Sequence, residues 1–223
     1  MEKKNKSTRK SNAAETDKIQ QAYRSHILEN DKKPSSVFMF CKSNGFKEEH
    51  FYQHYASFEA IEKEIWRGYI QVTITRLGAD SNYTSFSIRE RILAFYFTLA
   101  DVLKSDRSFV LKGLKDWSNP AIVPGFLKAF KTAFDAWLTP ILNEGKQTGE
   151  IAKRPLLDNR YDSLLWLHLL FIIQFWSHDD SVGFEKTDVA IEKSVNLAFD
   201  LIGKGVLDNA LDFGKFLYQN SKN

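Results

Sequence analysis

One cysteine, Cys41, stands among 223 residues. No disulfide can form within the chain, and a reducing cytoplasm is the expected setting. Proline is scarce at 5 and glycine at 11, and no stretch alternates apolar and polar residues for long. Strands with one buried face need that alternation, so the expected class is all-α. No apolar segment follows the first charged residues, so no signal peptide is expected. The longest apolar block, residues 164–176, is interrupted by His168 and Gln174. It is shorter than the about 20 residues a membrane-crossing helix needs, so no membrane partner is expected. The chain also lacks G-x-S-x-G, H-E-x-x-H, P-loop and dinucleotide-glycine patterns. No enzyme and no cofactor is expected.

Aromatic residues are plentiful, with 18 Phe, 8 Tyr and 5 Trp, enough to line a roomy apolar interior. The net charge is +3, and residues 1–18 account for it: Lys3, Lys4, Lys6, Arg9, Lys10 and Lys18 stand against Glu2, Glu15 and Asp17. The rest is near neutral. Residues 1–17 form a polar basic tail that is expected to be disordered. Such a tail serves solubility, or reaches DNA phosphates or the minor groove.

A first helix is expected over about 18–29, capped by Thr16 or Asp17. Residues 34–66 then read as three short helices with two tight breaks. Ser35 and Ser36 are hydroxyl N-caps before an apolar run, and Asn44-Gly45 is a helix stop, since glycine adopts the left-handed backbone of a C-cap. A short helix follows at 47–54. A third starts at Ser57 and continues to about Leu77. Helix, glycine turn and short helix make the shape of a helix-turn-helix, whose second helix enters a DNA major groove.

Further helices are expected at 87–104, at 107–117 and from Pro124 to beyond a kink at Pro140. A turn is expected over 144–151. Asp158 caps a helix through about 177 that is apolar on nearly every side. A helix at 186–202 and an amphipathic tail helix at 206–218 complete the reading.

The segment 34–66 resembles the N-terminal DNA-binding domain of TetR/AcrR-type transcriptional regulators. Gly45, Phe51, Tyr52, His54, Tyr55, Ser57, Glu59, Ala60 and Ile61 fall in the places of that family's pattern. The resemblance implies a TetR-like fold, with a helix-turn-helix domain over 18–66 and a ligand-binding and dimerisation domain over 67–223. It implies a homodimeric repressor that binds a double-stranded DNA operator and answers to an apolar or aromatic effector. Candidate DNA contacts are Ser35, Ser36, Lys47, His50, Tyr52, Gln53 and His54. Candidate effector contacts are Tyr96, Trp117, Phe130, Phe134, Trp137, Trp166, His168 and Gln174. His50 and His54 also stand four apart as metal ligands can, but the support of a DNA-reading helix fits them better.

Five positions depart from the pattern. Glu48 and Glu49 open the recognition helix. Phe58 takes the place of a phosphate-contacting lysine, and Phe38 with Met39 replaces polar positions. These changes motivate an alternative: a carrier or sensor of lipid-like molecules on the same scaffold, without DNA binding.

Overall fold

Four helices in this chain end at a glycine, Gly45, Gly78, Gly149 or Gly203, and runs without glycine or proline are largely helical. A computed structural model describes residues 2–115, 117, 122–154, 160–203, 205, 213–214 and 216–220, with only the backbone for 2–13. Its α-helices are α1 (Glu2–Asn30), α2 (Val37–Asn44), α3 (Glu48–His54), α4 (Phe58–Gly78), α5 (Ile88–Lys104), α6 (Arg107–Leu114), α7 (Leu127–Thr148), α8 (Tyr161–His178) and α9 (Glu185–Ile202). Short 3-10 turns lie at Tyr83–Ser85 and Val182–Phe184. Among the described residues there is no strand, as the sparse alternation predicts.

Two boundaries differ most from expectation. The backbone is helical from Glu2, not from about 18; residues 2–30 contain no Gly or Pro to stop it. Pro140 sits inside α7, and the helix continues to Thr148 into the expected turn. Gly149, at φ 82, ends it in the left-handed region. Asp158, the expected cap of α8, lies outside the described residues, as do 206–212 and 215 of the expected tail helix; residues 213–214 and 216–220 are helical.

The chain divides into two compact units, Met1–Tyr69 with Leu103–Phe130 and Ile70–Val102 with Lys131–Asn223. A single cut near 66 would leave residues 103–130 out of the first unit. They belong there because α6 packs on α1. Arg24 Nε lies 2.8 Å from Asp106 Oδ2, and the Tyr69 hydroxyl donates to the same oxygen at 2.6 Å. The Arg24 guanidinium also lies 5.9 Å from the centre of the Phe109 ring. Burial, with Asp106 second, raises the Tyr69 pKa, so the phenol stays protonated and donating.

In the second unit, Phe95 stacks on Trp137 at 3.9 Å, and Phe134 lies against both Phe95 and Trp166. Two polar clasps close its helix ends. The Glu150 carboxylate accepts from the Ile88 and Arg89 backbone N–H groups, each at 2.8 Å, and so caps α5. The buried Arg154 guanidinium donates to the Leu201 and Gly203 carbonyls at 2.8 Å, filling orphan acceptors at the end of α9.

Candidate nucleic-acid interface

The helix-turn-helix is held by short-range chemistry written in its sequence. Ser36 adopts extended backbone, and its hydroxyl accepts from the Met39 N–H at 3.2 Å, starting α2. Gly45, at φ 70, ends α2 in the left-handed region, where a side chain would be strained. Lys47 precedes α3 without a side-chain cap, and Glu48 with Glu49 fills the first turn. Those carboxylates complement the helix dipole.

The interior of the motif is aromatic. Phe40 meets Phe51 at 6.1 Å and Phe58 at 5.4 Å, both edge-on. Tyr23 of α1 stacks on Phe58 at 5.6 Å. Phe58 therefore packs inward. The ring is half-buried, most of it spent on this cluster rather than on the outer face.

Of the candidate DNA contacts, Ser35, Ser36, Lys47, His50, Tyr52 and Gln53 are exposed. Tyr52 is 56% exposed, with its ring edge-on to Phe51. His54 is set apart. Its Nδ1 lies 3.3 Å from Thr16 Oγ1 and its Nε2 3.4 Å from Glu15, so it ties α3 to α1. Gln20 of α1 donates to the Tyr55 hydroxyl at 2.7 Å and reinforces the tie. Phe38 at 55% and Met39 at 49% are exposed in the first turn of α2. Among the described residues no group of three or more His, Cys, Asp or Glu is placed to hold a metal ion.

The candidate effector residues divide between the units. Trp117 and Phe130 belong to the first, where Phe130 packs edge-on to Trp66 at 5.9 Å. Tyr96, Phe134, Trp137, Trp166, His168 and Gln174 belong to the second. There Phe134, Trp137 and Trp166 join the packed aromatic set. His168 Nε2 lies 2.8 Å from Ser194 Oγ, and its Nδ1 3.3 Å from the Tyr96 hydroxyl. Burial pushes the His168 pKa down to about 4. Gln174 is exposed at the C-terminal end of α8.

Helix α8 is not buried on every side within one chain. Leu165, Leu169, Ile172 and Trp176 are buried, while Leu164, Leu167, Phe171 and Phe175 form an exposed stripe. On α9, Val189, Leu197 and Leu201 are exposed as well. The turn between the two helices is pinned by buried Asp179, which accepts from Ser181 and Thr187 through four bonds of 2.6–2.8 Å. Burial alone would raise its pKa, but those bonds outweigh it and hold it below the usual carboxylate range. Among the described residues no helix is long and apolar enough to cross a membrane.

Comparison with known proteins agrees with this architecture. The family model for the tetracyclin repressor-like C-terminal domain matches residues 91–217, more than half of the chain. No curated protein matches the chain by sequence. Solved structures share the fold. A protein from Shewanella sp. PV-4 assigned to the TetR family of transcription regulators superposes with a TM-score of 0.58 at 11% identity, covering 81% of this chain and 95% of its own. A bacterial regulatory protein in the TetR family from Rhodococcus RHA1 gives 0.54 at 13% identity, covering 86% and 98%. A Rhodococcus sp. RHA1 protein of unknown function gives 0.56 at 13% identity, covering 85% and 96%. The chain belongs to the TetR family of transcription regulators.

Proposed function

We propose that the chain binds double-stranded operator DNA as a homodimer, acts as a repressor and answers to an apolar or aromatic effector. The observation that carries the reading is the helix-turn-helix. Ser36 and Gly45 fix its two helices, an aromatic core sets them, and Lys47, His50, Tyr52 and Gln53 stand on the solvent side of α3. Such donors serve phosphates and base edges. The exposed stripes of α8 and α9 support the dimer, since two such helices from each copy bury their apolar faces in a four-helix bundle. Two copies related by a two-fold axis would present two α3 helices to half-sites one DNA turn apart, about 34–36 Å. An effector acts only if it binds one arrangement of the dimer more tightly than the other. Footprinting on the DNA upstream of the chain's own coding sequence tests the reading. Two protected half-sites with that spacing are expected, and uniform protection at all sequences would overturn it.

A second reading, a carrier of lipid-like molecules without a DNA role, draws on Phe38, Met39, Glu48 and Glu49. These put grease and negative charge on the outer face of the motif. Mass spectrometry of denatured, freshly purified protein tests it. A stoichiometric apolar molecule is expected if it is right, and none if it is wrong.

A further inference from the structure

The first unit contains a cleft of about 380 Å³ beside the helix-turn-helix. That volume lies within the range of small-molecule sites, about 300–1,000 Å³. The C-terminal end of α1, the Lys32–Lys33 loop, α4, α6 and the segment reaching Phe126 surround it. Its apolar wall is aromatic: Trp66, Phe109, Trp117 and Phe126 line it, with Trp66 and Phe126 only 5.2 Å apart. Gly113 of α6 lines it too, and a Cβ there would stand 3.3 Å from the Trp66 indole. A glycine inside a helix costs about 1 kcal/mol against alanine. Here its lack of a side chain lets α6 approach the indole and keeps the cleft open.

The rim decides the charge of the occupant. Two acids border the cleft, and both are engaged. Asp31 pairs with Lys112. Glu62 accepts from Lys33 Nζ at 2.8 Å on one oxygen and from the Tyr23 hydroxyl at 2.7 Å on the other. Lys32 also lines the cleft, is exposed, and has no acidic partner among the described residues. Among the lining residues three lysines stand against two carboxylates, one surplus positive charge above an aromatic wall whose Trp66 and Phe126 rings are tilted by 40°.

We infer that this cleft binds a small aromatic molecule carrying one anionic group, its ring against Trp66 and Phe126 and its charge toward Lys32. The site goes beyond operator recognition. Its occupant touches α1, α4 and α6 in the unit that contains the helix-turn-helix. Binding is read without DNA, so its failure leaves operator recognition standing.

The test is isothermal titration of the full chain with 2-naphthoate and, separately, with 2-naphthylmethylammonium at neutral pH. The naphthoate is expected to saturate one site per chain and to bind at least about tenfold tighter than the cation. Lys32→Glu reverses a charge on an exposed side chain and should weaken naphthoate about tenfold. Gly113→Leu, which fills the cleft, should abolish binding with the far-ultraviolet circular dichroism unchanged. The inference is overturned by any of three results: no saturation up to roughly 1 mM, equal affinity for the two probes, or unchanged affinity in Lys32→Glu.

Discussion

Thr16 and His54 lie 38 positions apart in sequence and meet at 3.3 Å, so the last residue of α3 is anchored on α1. Glu15 receives the other ring nitrogen at 3.4 Å. The orientation of α3 thus depends on a helix outside the motif. His54→Ala removes both contacts and should cost about 1 kcal/mol of stability. DNA affinity should fall about fivefold from the loosened α3, the equivalent of that energy. Thermal unfolding and a fluorescence anisotropy titration check the two effects together.

Glu48 and Glu49 act in opposite directions on fold and function. At the start of α3 they favour the helix dipole, each by about 0.3–1 kcal/mol. Toward a polyanion they repel. The double change Glu48→Gln with Glu49→Gln is expected to lower the melting temperature slightly. It should tighten binding to any duplex DNA by a few-fold at low salt, with the gain shrinking as salt rises. Looser DNA binding in the variant would place these carboxylates on base edges instead.

The α8 stripe is predicted to be a contact between two copies. Phe171→Glu puts a charge where an apolar face meets its equivalent. Sedimentation should report a dimer for the natural chain and a folded monomer for the variant. A variant that remains dimeric would move the interface elsewhere.

Asp179 pins the turn that sets α8 against α9. Asp179→Ala strips the Ser181 and Thr187 N–H groups of their acceptor, and Thr187 is buried. A buried donor left unpaired costs about 1–3 kcal/mol. Chemical denaturation should show a loss of that size.

Acid should weaken the second unit through His168. Burial holds its pKa at about 4, below the ordinary value of 6.5. Between those values the unfolded chain binds the proton and the folded chain does not, so folding loses ground as pH falls. Full stability is present above about 6.5 and is lost progressively down to about 4. His168→Gln should flatten this part of the stability profile, and NMR titration of the ring should place its midpoint near the lower value.

The helix-turn-helix was legible in the sequence because its determinants are local. Ser36 and Gly45 act within three to five residues of where they stand. The return of residues 103–130 to the first unit was not legible. It rests on Arg24 meeting Asp106 across 82 positions, and nothing near either residue announces the pair. The resemblance puts Phe58 in the place of a phosphate-contacting lysine, and its actual surroundings were not legible there. Its ring partners Tyr23 and Phe40 lie 35 and 18 residues away. The exposed stripe of α8 was half legible. An all-apolar helix signals burial on both sides, yet within one chain Leu164, Leu167, Phe171 and Phe175 stay exposed. The cleft at Trp66 escaped altogether, because its wall and rim come from α1, α4, α6 and the segment after it.

The central claim, sequence-specific DNA binding by a TetR-family dimer, is tested most directly by one titration. The purified chain is added to labelled DNA from upstream of its own coding sequence and to a scrambled duplex, at low and at physiological salt. Binding is expected to be at least about a thousandfold tighter to the natural duplex at physiological salt, the lower end for specific regulators. Equal affinity for both duplexes, from a correctly folded dimer, would contradict it.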